Sequence, residues 1–368
     1  MNTGVIKLSH FSVKEYLLST HVEKYFSIDE KNSHVKISES SIAYLLQFDD
    51  SSPLEAMLHS MPLAMYAAEH WIDHVKFGGV DSTVLQLILQ LFISESAPFI
   101  NWIGIYDIEK EYQNIPLNRT KVGGALYYSS LAGVQEVSES LLVKGENANA
   151  KGGEYGNALQ AASFRGNEAI VKLLVKNGAE VNAEGGQYGN ALQAASYEGN
   201  EAIVKLLFEN GAEVNAEGGE YGNALQAASF GGNEAIVKML VENGAEVNAE
   251  GGEYGNALQA ASASYEGNEA IVKLLLENGA EVNAEGGEYG NALQAASFRG
   301  NEAIVKLLVK NGAEVNAQGG QYGNALQAAS FRRNEAIVKL LVENGAEANA
   351  EGGQSSVKRS AENMVIVQ

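Results

Sequence analysis

The sequence predicts an all-α solenoid of one degenerate and six regular repeats, preceded by a small, mainly helical domain. Three observations carry this expectation. The string Tyr-Gly-Asn-Ala-Leu-Gln-Ala-Ala-Ser begins at Tyr155, Tyr188, Tyr221, Tyr254, Tyr289 and Tyr322, at spacings of 33, 33, 33, 35 and 33 residues. Each unit holds two short helical stretches, and isolated helices are marginal below about 12–15 residues because nucleation is not recovered. Neighbouring units must therefore supply the packing, as in a solenoid. Glycine also recurs at fixed places, after each helix and in each connector.

Taken along the chain, residues 1–121 are not repetitive. Val5-Ile6-Lys7-Leu8 reads as a short strand. Ser12 with Glu15 makes a capping box and Phe11 with Tyr16 a hydrophobic staple, opening a helix through Leu18. Further helices are expected over 35–47, 62–76, 82–93 and 98–106, with Pro62 in a first turn and Ser82 as a cap. The most apolar run, Val84 to Ile93, is interrupted by Gln86 and Gln90 and falls short of the roughly 20 apolar residues of a membrane span. Residues 122–150 form the degenerate repeat, because Gly124-Ala125-Leu126 precedes Asn157-Ala158-Leu159 by 33 and Gly133, Leu141, Gly145 and Asn149 keep register. The six regular repeats occupy 151–350, and 351–368 are a tail or partial cap.

Within a unit, Asn157 is an N-cap candidate whose Gln160 can reach back in a capping box. An alanine-rich first helix runs to Gly166, and a second runs from Glu168 to Gly178, which supplies the left-handed residue that ends it. Glu168 with Lys172, Glu201 with Lys205 and Glu335 with Lys339 are i,i+4 pairs. The second helix is otherwise apolar on nearly all sides, which predicts a helix sandwiched between neighbours. Connectors such as Glu184-Gly185-Gly186-Gln187-Tyr188-Gly189 are expected to form hairpin-like turns, and the Tyr155 series a ladder of stacked rings. The 35-residue spacing contains Ala263-Ser264, an apparent duplication that either bulges or lengthens the first helix without breaking the stack.

On these residues the unit resembles the ankyrin repeat. Gly166-Asn167-Glu168-Ala169-Ile170-Val171-Lys172-Leu173-Leu174 and Asn177-Gly178-Ala179-Glu180-Val181-Asn182-Ala183 match its second helix and exit, over residues 122–350. Asn157-Ala158-Leu159-Gln160 replaces the family's usual Thr-Pro-Leu-His, and Tyr155 stands where a hairpin glycine is usual. Upstream, His10-Phe11-Ser12-Val13-Lys14-Glu15-Tyr16-Leu17, Pro62-Leu63-Ala64-Met65-Tyr66-Ala67-Ala68 and Trp71-Ile72-Asp73-His74 resemble the region that joins the NTPase of fungal NACHT-ankyrin proteins to their repeats. Those are NOD-like STAND proteins, linked to non-self recognition. The resemblance implies a NACHT-associated region over 1–121, with a winged-helix-like remnant at its start. No Gly-x-x-x-x-Gly-Lys-Ser/Thr occurs, so no P-loop cradles a nucleotide. The resemblance then implies either the sensor half of such a protein or a part acting in trans on a separate NACHT NTPase.

Composition narrows the function classes. The net charge of −21, with 26 glutamates against 13 lysines and arginines over 151–350, disfavours nucleic acid as a partner. Absence of cysteine removes disulfides and thiolate chemistry and fits a cytoplasmic location. The repeats hold no Asp, His or Cys, and six equal copies do not build one asymmetric catalytic site. The expectation is a non-catalytic protein, without cofactor, nucleotide or membrane. His70 and His74, four apart with Asp73 between, are the one pattern compatible with zinc and a metal-dependent enzyme, and Trp71 and Ile72 beside them read as packing residues. Recognition is expected where copies differ. After the first helix the pairs are Phe164-Arg165, Tyr197-Glu198, Phe230-Gly231, Tyr265-Glu266, Phe298-Arg299 and Phe331-Arg332. In the hairpins the variable residues are Glu154, Gln187, Glu220, Glu253, Glu288 and Gln321. The resemblance places both sets at positions that face a bound protein, and the aromatics also suit packing between units.

Overall fold

The computed structural model describes residues 29–49, 54–94, 96–109, 122–265 and 267–347, and the regular elements among them are 19 helices and no strand. The strand expected at Val5 to Leu8, the helix expected from Ser12 to Leu18 and the tail 351–368 lie outside the described residues. The described chain divides into two compact units. One holds the residues up to 109 with 134–143, the other 122–133 with 144–347.

In the first unit, α1 (Glu30–Leu45) begins at Asp29, whose carboxylate accepts from Asn32 N. A short helix, α2 (Leu54–Ser60), was not expected, and Pro62 lies in the turn before α3 (Ala64–Gly78) instead of in its first turn. The next helix, α4 (Ser82–Leu91), is capped by Asp81, which accepts from Thr83 N and Val84 N, and Ser82 is its first helical residue. Both residues can cap, but only Asp81 sits one place outside the helix with extended backbone. Ser96 caps α5 (Ala97–Ile105). The remaining helix of this unit, α7 (Gln135–Val143), packs on α4. Trp71, Trp102, Phe92 and Phe99 fill the core with ring centroids 5.3–6.1 Å apart, and Trp102 Nε1 donates to Ala68 O. α1 runs against α3 so closely that a Cβ on Gly78 would stand 2.8 Å from Val35 N.

The second unit starts with α6 (Ala125–Ala132) and continues as six helix pairs. The first helices are α8 (Ala158–Phe164), α10 (Ala191–Glu198), α12 (Ala224–Phe230), α14 (Ala257–Ala263), α16 (Ala292–Arg299) and α18 (Ala325–Phe331). Their partners are α9 (Glu168–Lys176), α11 (Glu201–Glu209), α13 (Glu234–Glu242), α15 (Glu269–Glu277), α17 (Glu302–Lys310) and α19 (Glu335–Glu343). The sandwiched helix is the first of each pair: all residues from Ala224 to Ser229 of α12 are buried, and small alanines let the flanking first helices approach. The second helix has a wet face, contrary to expectation. Ile236, Val237 and Leu240 make its buried stripe, and Ala235 and Lys238 are exposed. Of the i,i+4 pairs, Glu168–Lys172 and Glu201–Lys205 form, whereas Lys339 turns to Glu343 at 4.0 Å and leaves Glu335. All are exposed and worth about 0.5 kcal/mol or less each.

Asparagine and glutamine hold the stack together. Asn157 caps α8 through Gln160 N, as expected. The reciprocal half of the capping box forms only at Asn190–Gln193 and Asn256–Gln259. The glutamine amide does more across repeats: Gln226 Nε2 donates to Ala249 O, Gly251 O and Gly255 O of the next connector. Asn182 adds a second brace, donating to Gly211 O and accepting from Glu213 N, and a third runs from Asn233 Nδ2 to Ser196 O and Tyr197 O. Two glycine positions follow from these contacts. Gly189, at φ 92°, lies where a Cβ would meet Gln193 Oε1 at 2.0 Å. Gly199, at φ 83°, leaves room for Asn233 Oδ1, which a Cβ would approach to 2.6 Å.

Candidate partner-binding face

The hairpin residues form one continuous row. Gln187 N donates to Glu154 O, Glu220 N to Gln187 O, Glu253 N to Glu220 O, Glu288 N to Glu253 O and Gln321 N to Glu288 O, at 2.8–3.1 Å. Each hairpin is closed by an antiparallel bridge such as Gly185 with Gly189. Period-33 spacing thus becomes a ladder with its side chains in file. Gln187 Nε2 donates to a Glu220 carboxylate oxygen. Glu253 has carboxylates on both sides. Burial, then Glu288 and Glu220, hold its carboxyl above the ordinary carboxylate value.

Behind this row stands the expected tyrosine ladder. Tyr155, Tyr188, Tyr221, Tyr254, Tyr289 and Tyr322 stack at 5.7–6.5 Å with interplanar angles of 11–18°. Phe164, Tyr197, Phe230 and Phe298 interleave with it at 4.3–5.4 Å and are half-buried, so these four are packing residues first. Phe331 stacks on Phe298 but is exposed. Burial raises the phenols of Tyr188, Tyr221 and Tyr254 well above ordinary tyrosine, and pushes Tyr289 up to about 12. Glu198 and Glu220 add to the effect at Tyr188, and Arg299 opposes it at Tyr289. The hairpin row, the ladder and the residues after the first helix therefore share one electrostatic neighbourhood.

Tyr265 is not the equivalent of Phe164 or Phe230, as its place in the sequence had suggested. Counted from the N-cap, Ala263 takes that position, fully buried, because the inserted pair comes before Tyr265. Of the two outcomes allowed for the insertion, the structure takes the bulge: α14 ends at Ala263, Ser264 is extended, and α14 still packs against α12 and α16. Glu266 lies outside the described residues. Arg165, Glu198 and Arg332 are exposed and Arg299 is half-buried beside the aromatics, with Arg165 over Phe164 and Arg332 over Phe298.

The structure does not join His70 and His74 into a metal site. His74 Nδ1 lies 2.7 Å from His34 Nδ1 and its Nε2 2.8 Å from Tyr66 Oη, which occupies both nitrogens. Burial, then His34 and His70, lower the pKa of His74. His70 instead faces Glu69 and Asp73 at 3.8 and 3.9 Å, and no group of three or more His, Cys, Asp or Glu among the described residues can hold a metal. His34, forty residues away on α1, carried no local signal in the sequence. Trp71 and Ile72 are buried, as expected of packing residues. No helix among the described residues is long and apolar enough to cross a membrane.

A stack of helix pairs joined by hairpins defines a repeat scaffold of the kind that typically binds proteins and is not enzymatic. The chain belongs to the ankyrin-repeat family: the family model for ankyrin repeats matches in three copies, over residues 126–218, 192–286 and 258–352. It is also similar to azaphilone pigments biosynthesis cluster protein L of Monascus ruber, with 35% identity over 173 residues, covering 41% of this chain and 36% of that protein. The chain thus spans about a third of that relative's length. Among solved structures, the human ASB11 ankyrin repeat domain aligns at 24% identity and a TM-score of 0.48, covering 65% of this chain and 96% of that one.

Proposed function

We propose that this chain is a protein-recognition scaffold, the sensor half of a NOD-like STAND protein, and that it captures its partner along the strip of variable positions. In this reading residues 1–121 are a NACHT-associated region, 122–150 the degenerate first repeat, 151–350 the binding array and 351–368 a tail or partial cap. One observation supports the strip above all. Asn caps, Gln braces and buried Ala, Leu and Ile, the same in all six regular repeats, hold the stack, whereas the residues after the first helices and in the hairpins differ between copies and stand beside the tyrosine ladder. Arg165, Glu198, Arg299 and Arg332, with Gln187, Glu220, Glu253, Glu288 and Gln321, carry the charge and amide pattern that distinguishes one partner from another. Interfaces concentrate their affinity in few anchors, so the frame can stay constant.

The test compares partners retained from host extract by the full chain and by a chain with alanine at Arg165, Glu198, Arg299 and Arg332. Loss of a specific partner with an unchanged melting temperature is the expected result. Equal retention by the two chains would remove the strip from the account. Co-purification of a separate P-loop NTPase with the full chain would favour the reading in which it acts in trans on a NACHT NTPase, and absence of one with otherwise intact capture would remove that reading alone.

A further inference from the structure

The two-residue insertion rebuilds the middle of the strip. With Ala263 buried in the ladder position and Ser264 at φ −60° and ψ 140°, Tyr265 is pushed out to 78% exposure, the most exposed large aromatic of the array. Arg299, one repeat on, lies over its ring at 3.9 Å from the centroid and reaches Tyr289 at 5.7 Å. Arg332, a repeat further, lies over Phe298 at 4.8 Å, and Arg333 is exposed beside it.

Among the described residues these arginines form no ion pair with an acid. No described carboxylate forms a salt bridge with Arg299 or Arg332, and Arg299 Nε is buried with no acceptor among the described residues. A guanidinium held over a ring can still present N–H groups at its edge, which a planar carboxylate accepts. A buried unpaired donor costs free energy until an acceptor arrives. The chain is strongly acidic as a whole, but charges beyond about 8 Å are largely screened at physiological salt. At Tyr322 the charge of Glu288 is opposed by Arg332 and Arg299.

We propose that Tyr265, Arg299 and Arg332 are the anchor of the face, and that they take a protein segment presenting a carboxylate beside an apolar side chain. The carboxylate accepts from the edges of Arg299 and Arg332, and the apolar side chain covers the exposed ring of Tyr265. This rests on the strip being the binding face and adds its centre and the chemistry of its occupant.

The test selects short random peptides on the immobilised full chain and measures each enriched peptide against variants. The expected peptides carry Asp or Glu next to an apolar residue and lose about tenfold or more in affinity on Tyr265→Ala and on Arg299→Gln, as truncated interface anchors do. Arg299→Lys keeps the charge but not the flat fork, so it is expected to recover only part of the loss. Circular dichroism melts verify that the variants remain folded. Enriched peptides that are basic, or that bind Tyr265→Ala and Arg299→Gln as well as the parent, overturn the anchor. If they are instead lost on Arg165→Ala or Glu198→Ala, the anchor fails and the strip survives; if no strip variant matters, both fail. Equal competition by a short single-stranded DNA also overturns the proposal, since it reveals a general anion site.

Discussion

Replacing Gln226 with alanine tests whether the glutamine of each repeat is a brace between repeats or merely a helix-capping residue. Its Nε2 donates to Ala249 O at 3.1 Å, Gly251 O at 3.3 Å and Gly255 O at 2.8 Å, and the residue is 1% exposed. Gly255 O keeps the Gly251 N–H, so the change mainly strips Ala249 O and Gly251 O of this donor. A lost hydrogen bond nets about 1 kcal/mol, and an orphaned buried acceptor about 1–3. Together with the small cavity, the expected cost is about 3 kcal/mol. In an array whose stability is a sum of units and interfaces, that cost falls on the junction between the third and fourth regular repeats. Urea unfolding of the full chain, followed by far-UV circular dichroism, should show a lowered midpoint and a broadened or split transition. Gln226→Glu should cost more at neutral pH, because it sets a carboxylate against carbonyl oxygens, and part of that excess should return on acidification. A cost below about 1 kcal/mol for Gln226→Ala would refute the brace, since the loss of its hydrogen bonds with buried carbonyls left behind should exceed that.

Three further outcomes follow from the same frame. Tyr221→Ala, which opens the middle of the ladder, should cost about 3–5 kcal/mol, whereas Tyr265→Ala should stay within about 0.5 kcal/mol; equal melting temperatures for the two would contradict the displaced register. The array should lose stability in alkali: the unfolded phenols ionise near pH 10, the folded Tyr289 only at about 12, so its contribution is complete below pH 10 and disappears as pH rises through about 12. Phenolate absorbance should therefore rise together with loss of helical signal, and phenolates forming near pH 10 in an intact array would disprove it. Arg333 takes the position that glycine holds in the other repeats, at φ 58°, so Arg333→Gly should raise stability by about 1 kcal/mol; an unchanged or lower melt would count against strain at that site.

Much of the fold was legible because its information is repeated six times. Asn157 and its copies announce the first helix and Gly178 and its copies end the second, and both do so in the structure. What escaped was whatever a single unit cannot show. The role of Gln160 depends on carbonyls of the following connector, 23 to 29 residues away, although its presence in every copy beside an Asn cap was a usable signal. The wet face of the second helix was hidden because Ala169 and Val175 are apolar letters at positions that a solvent-facing helix tolerates. Tyr265 was misregistered because a 35-residue spacing permits two alignments of the aromatic, and only burial of Ala263 decides between them. The contact of His74 with His34 and Tyr66 depends on α1 crossing α3, which no local pattern reports.

The central claim is that stacking and recognition occupy different faces of the array. The most direct measurement is partner affinity for three full-length chains: the parent, one with alanine at Arg165, Glu198, Arg299 and Arg332, and one with alanine at the exposed Lys205, Lys238 and Lys273 of the second helices. At least about a tenfold loss is expected for the first variant and parental affinity for the second. A loss confined to the lysine variant would place recognition on the opposite, second-helix face and contradict it.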